Sequence, residues 1–132
     1  MKSVLADTGP LYVLATPSDG LHSRAREEAG RLKREGFSVL ISYPTLFGTQ
    51  SLLLRRTAPA SVHRWQQSLA YSSSLITPTT GDYERAALRV ERYPDQQLSL
   101  FDRLVAVLSE QFGIPVWTFD ADFDIMRAEV WR

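Results

Sequence analysis

Five aspartates carry the most suggestive chemistry in this sequence. Asp7 closes a short apolar run (VLADTGP), and Asp102 stands near the start of a long apolar segment (SLFDRLVAVLSEQF). Asp120, Asp122 and Asp124 alternate after a second apolar run (VWTFDADFD). Singly, each has a plain structural explanation: an aspartate after a strand serves as a helix cap or turn former, and one in a first helical turn complements the helix dipole. Jointly they ask for more. A carboxylate within an apolar helix is costly unless it is paired or bound to a metal, and acids gathered at one edge repel each other until a divalent cation sits among them. The chain has no cysteine and only two histidines, so its donors are oxygens, which favour Mg²⁺ or Mn²⁺ over zinc.

The elements that must position these acids are readable from the hydrophobic pattern. Four short apolar runs, Ser3–Ala6, Phe37–Ser42, Leu75–Thr77 and Pro115–Phe119, suit strands buried on both faces. Between them lie helical patterns at 22–35, stopped by Gly36, and at 45–56. Further patterns run from Pro59 to about Tyr71, over roughly 81–92 behind a Thr79–Thr80 cap, and at 99–112, stopped by Gly113 and Pro115. The last of these is apolar on nearly every side and predicts a deeply buried helix. Residues 92–97 (RYPDQQ) read as the longest loop. Strands alternating with helices predict an α/β sandwich around a parallel sheet. In such a sheet ligands bind at the carboxyl ends of the strands, so Asp7, Asp102 and Asp120 are expected at one edge.

Composition bounds the function without naming it. At 132 residues, 44% apolar and 23% charged, the chain is expected to form one soluble domain with its own core. Lysine plus arginine and aspartate plus glutamate number 15 each, so net charge selects no partner. Asp7 interrupts the first apolar stretch too early for a signal-peptide core, and no stretch approaches the roughly 18 apolar residues of a membrane span; a cytoplasmic location is expected. DADFD fails as a calcium loop, because Ile125 stands where glycine is needed and Trp131 where glutamate is needed. It fails as a phosphatase motif because too little chain follows. Asp124 reads as a solvent-facing turn or cap residue, His22 and His63 as surface helix residues, and Trp65, Trp117 and Trp131 as core or interface residues. The RLKRE stretch and Arg55–Arg56 suit phosphate contacts and solvated helix faces equally.

The segments LADTGPLYVL and LSLFDRLVAVLSEQFGIPVWTFDADF, with the helical pattern between them, resemble a PIN-domain ribonuclease, in particular the VapC-like toxins of type II toxin–antitoxin pairs. The resemblance spans essentially the whole chain. It implies a three-layer sandwich with a mostly parallel sheet of four to five strands, and metal-dependent endonucleolytic hydrolysis of RNA. It also implies homodimers and a small antitoxin partner. Residue by residue, it implies that Asp7, Asp102 and Asp120 hold Mg²⁺ or Mn²⁺, with Asp122 as an additional candidate ligand and Thr8 and Thr118 as supporting hydroxyls. Asp95 matches a loop aspartate with a structural role. The family's remaining acid, a glutamate in the helix after the second strand, falls at Gly48, with Gln50 the nearest polar residue. Neither is an anionic ligand. A weakened or inactive PIN domain that binds RNA or protein is therefore the alternative expectation.

Overall fold

The computed structural model describes residues 2–89 and 98–132; the whole of the expected 92–97 loop, with Asp95, lies outside the described residues. In chain order the elements are β1 (Lys2–Ala6), α1 (Thr8–Leu14), α2 (His22–Arg34), β2 (Phe37–Ser42), α3 (Tyr43–Leu54) and α4 (Pro59–Ser72). They continue with β3 (Ser74–Ile76), α5 (Thr80–Leu88), α6 (Leu100–Phe112), β4 (Val116–Trp117) and α7 (Asp122–Ile125).

The four strands form one parallel sheet in the order β3-β2-β1-β4. The chain moves from β1 outward through β2 to β3, then returns past β1 to place β4 on its other side. The β1–β4 boundary is therefore the point where strand order reverses, and a ligand crevice opens at the carboxyl ends of two such strands.

Alternation along the strands divides the apolar residues into two layers. Val4, Ala6, Ile41 and Trp117 face one side, packing with Leu11 of α1, Leu32 of α2 and Leu46 of α3, and Trp65 and Leu69 of α4 join them. Leu5 and Val116 face the other side, against Ala86 of α5, the body of α6, and Phe123 and Met126 near the chain end. The result is the expected three-layer sandwich. Residues 103 to 109 of α6 are all buried, because the sheet, α5 and α7 enclose the helix. Its ends are not buried: Leu100, Phe101 and Phe112 project into solvent.

The element boundaries have local causes. The Ser42 hydroxyl accepts from the Thr45 N–H at 3.3 Å and Pro44 occupies the first turn, so α3 begins at Tyr43, two residues before its apolar pattern. Glycines end α2 and α6: Gly36 at φ 79° and Gly113 at φ 64° take left-handed conformations that other residues resist. β4 covers only two of the five residues in its apolar run. Beyond α7 the chain turns through Arg127, at φ 58°, and runs beside β4: the Val116 N–H donates to Glu129 O (2.8 Å), and the Trp131 N–H donates to Val116 O (2.9 Å).

Candidate metal centre

Asp7 and Thr118 extend the β1–β4 ladder by one step. Leu5 pairs with Val116 and Ala6 with Trp117, and the Asp7 N–H then donates to Trp117 O at 2.9 Å. This register sets the first acid beside the first residue beyond β4. The Thr118 hydroxyl donates to Asp7 Oδ2 at 2.8 Å and accepts from the Asp120 N–H at 2.9 Å. Asp120 Oδ1 in turn accepts from the Asp122 N–H at 2.9 Å, which bends the chain into α7. Thr118 thus couples Asp7 to the loop that carries the other two acids. Thr8 serves Asp7 through its backbone N–H.

Asp102 arrives from the other direction. Ser99 caps α6, its hydroxyl accepting from the Asp102 N–H at 3.1 Å, and this fixes Asp102 in the first turn. One carboxylate oxygen from each of Asp102, Asp120 and Asp122 lies within 4.8 Å of the others, a separation close to the roughly 4 Å spanned by oxygens that share one small hard cation. Asp7 lies deeper, only 6% exposed, and feels the charges of Asp102 and Asp120. Asp124 stands apart: it is exposed, and both its oxygens accept from Arg132, at 3.0 and 2.9 Å.

Burial raises the Asp7 carboxyl from its usual 3.8 to about 6, despite the hydrogen bonds from Thr118 and Thr8, and the charges of Asp102 and Asp120 add to the rise. Burial also raises Asp102, opposed by Ser99 and reinforced by Asp120 and Asp122. Asp122 is raised by desolvation and by Asp120. Among the described residues no cationic side chain reaches ion-pair distance of any of the four. The donor set fits a hard divalent ion: all are carboxylates, their mutual repulsion is unrelieved, and no thiolate or imidazole competes.

The position matched to the missing acid faces the residue that precedes Asp102 in α6. A Cβ on Gly48 would lie 3.9 Å from Phe101 Cε1, beside Asp102, in ordinary contact. Gln50 cannot stand in for the glutamate: its amide donates to Gln66 of α4. Of the expected surface histidines, His63 is exposed, whereas His22 is half-buried with Nδ1 2.8 Å from Val13 O.

The family model described as PIN domain matches residues 4–129. The chain belongs to the PIN domain family. Among solved structures, this PIN domain is similar to VapC20 of Mycobacterium tuberculosis, described as a toxin that cleaves the sarcin–ricin loop. Identity is 22%, each chain is 98% covered, and the TM-score is 0.84. It is also similar to VapBC2 of Rickettsia felis, solved with a DNA fragment from its promoter, at 10% identity, 98% and 97% coverage and a TM-score of 0.77. A third structure, FitAcB of Neisseria gonorrhoeae, matches at 16% identity, 98% and 96% coverage and a TM-score of 0.65. At these identities the likeness establishes the shared fold. No curated protein matches by sequence.

Some site features were not expected from sequence. Ser99 could have been found from its spacing to Asp102, a serine three residues before an acid at a helix start. The bond from Trp117 Nε1 to Glu28 Oε1 (2.8 Å) crosses 89 positions in the chain and has no local signal.

Proposed function

We propose that this PIN domain is a metal-dependent endoribonuclease that hydrolyses RNA phosphodiester bonds, acting as the toxin of a toxin–antitoxin pair. The observation that carries this reading is the meeting of Asp102, Asp120 and Asp122 beside buried Asp7, with no cationic side chain to neutralise them. Asp102, Asp120 and Asp122 would hold Mg²⁺ or Mn²⁺, with Asp7 as the buried anchor. Such an ion, when bound, would lower the pKa of a coordinated water and offset charge developing on the phosphoryl oxygens. The protein's part is positioning. Thr118 fixes one oxygen of Asp7, Ser99 fixes Asp102 in its turn, and the hydrogen bond from Asp122 to Asp120 sets the loop.

The proposed partners are RNA, a cognate antitoxin and a second copy of the chain, in the cytoplasm. Exposed apolar residues on α3 (Tyr43, Phe47, Leu52 and Leu54) and the neighbouring Phe101 supply a surface for a protein partner. Among the described residues no helix is long and apolar enough to cross a membrane.

RNA cleavage by the wild-type protein should require Mg²⁺ or Mn²⁺, cease in EDTA, and disappear in a folded Asp102→Asn variant. Cleavage that survives both treatments would refute the mechanism. Gly48 supports a second reading, a PIN domain with weakened catalysis that binds RNA or protein. Calorimetric titration with Mg²⁺ separates the two, since a degenerate site shows no saturable binding at millimolar ion. Gly48→Glu restores cleavage if the missing ligand is the only defect.

A further inference from the structure

A cavity of about 380 Å³ opens directly off Asp120; its walls set Arg24, Arg31 and Arg132, with Phe119 and Trp131, beside the acids Glu28 and Asp124, and Arg132 is spent on Asp124. The arginines are held in place by their surroundings. Trp117 is 2% exposed and its Nε1 donates to Glu28 Oε1 at 2.8 Å, which pins that carboxylate from the inside. The other Glu28 oxygen accepts from Arg24 Nε at 2.8 Å, and the Arg24 guanidinium lies 4.6 Å from the centre of the Phe119 ring. One helical turn pair further along α2, the Arg31 guanidinium lies 4.2 Å from the centre of the Trp131 ring, with its Nε 3.8 Å from Glu35. The two arginines are seven residues apart on one face of α2, about 10.5 Å along its axis. Neither places a terminal amino group on a protein acceptor among the described residues.

Two guanidinium forks fixed by an aromatic face, with their outer N–H groups free, are prepared for bidentate contact with phosphate. They also present planes on which unpaired bases stack. The adjoining acids require such a surface. A cation held by the acids offsets charge at the bond to be cleaved, but the flanking phosphates of a polyanion still face four carboxylates.

We propose that this cavity is the subsite for the single-stranded RNA segment flanking the cleaved bond, with Arg24 and Arg31 as its phosphate contacts. The proposal rests on the nuclease reading above and adds to it the path of the strand, from Asp120 along α2 toward Trp131.

The test measures binding of a fluorescein-labelled single-stranded RNA of mixed sequence to Asp7→Asn protein, which leaves the RNA intact, together with cleavage by protein with native acids. Arg24→Gln and Arg31→Gln should each weaken binding about tenfold at 0.1 M salt. Each should lower the slope of log Kd against log salt by about 0.7 and raise KM more than it lowers kcat. Arg24→Lys and Arg31→Lys, which keep the charge and guard against misfolding, should keep the salt slope and recover part of the affinity. Arg26→Ala, on the exposed face of α2, should change nothing. Glutamine variants that match their parent in Kd and slope, in a protein that cleaves, would overturn the subsite and leave the nuclease reading intact. Wild-type protein without metal-dependent cleavage would overturn the nuclease reading; the binding series then decides alone whether these arginines contact RNA.

Discussion

Asp7 and Asp82 are both aspartates in the interior, 6% and 1% exposed, yet their surroundings differ in kind. Asp82 lies in the first turn of α5. Its Oδ2 accepts from the Thr79 N–H at 2.8 Å, its own N–H donates to the Thr79 hydroxyl at 3.2 Å, and Arg85 pairs with its other oxygen. It is a satisfied capping box. Asp7 receives hydrogen bonds from Thr118 and Thr8, but its charged neighbours are other acids. A buried acid that already has its cation is structural. Asp7, surrounded by like charge, has no such partner among the described residues.

The predictions press on this contrast, beginning with catalysis. Asp7→Asn should lower RNA cleavage by about a thousandfold with the fold intact, whereas Asp82→Asn should leave kcat per folded molecule within about twofold. A kcat drop in the Asp82 variant matching that of the Asp7 variant would erase the distinction.

Next is pH. Because the folded-state value of Asp7 is raised from 3.8 to about 6, the native state binds more protons than the unfolded chain between those values. The contribution of Asp7 to the stability of the metal-free protein should therefore be full below about pH 4, fall as pH rises through about 6, and stay lost above it. The loss from this group is roughly 3 kcal/mol. Urea denaturation in EDTA from pH 4 to 8 measures it. Asp7→Asn should flatten the decline and Mg²⁺ should reverse it; an unchanged profile in the variant would assign the decline to other groups.

Asp82→Ala has the opposite sign at neutral pH. It removes the capping box and leaves Arg85 without its partner, so stability should drop by about 2 kcal/mol, with Mg²⁺ affinity unchanged in calorimetry.

The smallest effect belongs to Gly48. Glycine within a helix costs about 1 kcal/mol relative to alanine, and a Cβ there meets only Phe101, at 3.9 Å. Gly48→Ala should therefore raise stability by up to about 1 kcal/mol in urea denaturation. Gly48→Glu should lower the Mg²⁺ concentration needed for half-maximal cleavage. A loss of stability in the alanine variant would mean that the space beside Phe101 is tighter than the geometry indicates.

The contrast also explains what the sequence disclosed. Asp7 and Asp120 were legible because each directly follows an apolar run, so the end of a strand dictates its place. Asp102 was legible because a charge in an apolar helix is conspicuous. Asp122 was less so: alternation in DADFD leaves open whether a residue turns toward the acids or toward water, and the closeness of its carboxylate to those of Asp102 and Asp120 decides it. Asp82 gave no sign of burial at all. It stands in a polar stretch, GDYERAA, and is covered only because α5 packs against α6. The importance of position 48 came from family resemblance alone, since a glycine carries no pattern of its own. Long-range features such as Glu28 under Trp117 depend on which helix crosses which strand, and local periodicity does not encode that.

The run of residues 129–131 along β4 has a consequence for assembly. Its hydrogen bonds to Val116 occupy the outer rim of that strand, while the opposite rim belongs to β3, just three residues long. Exposed strand rims invite other chains to pair, and here one is blocked and the other is stubby. Merging the sheets of two copies into one continuous ribbon is therefore disfavoured, which leaves side chains on helical surfaces as the ground for any contact between chains.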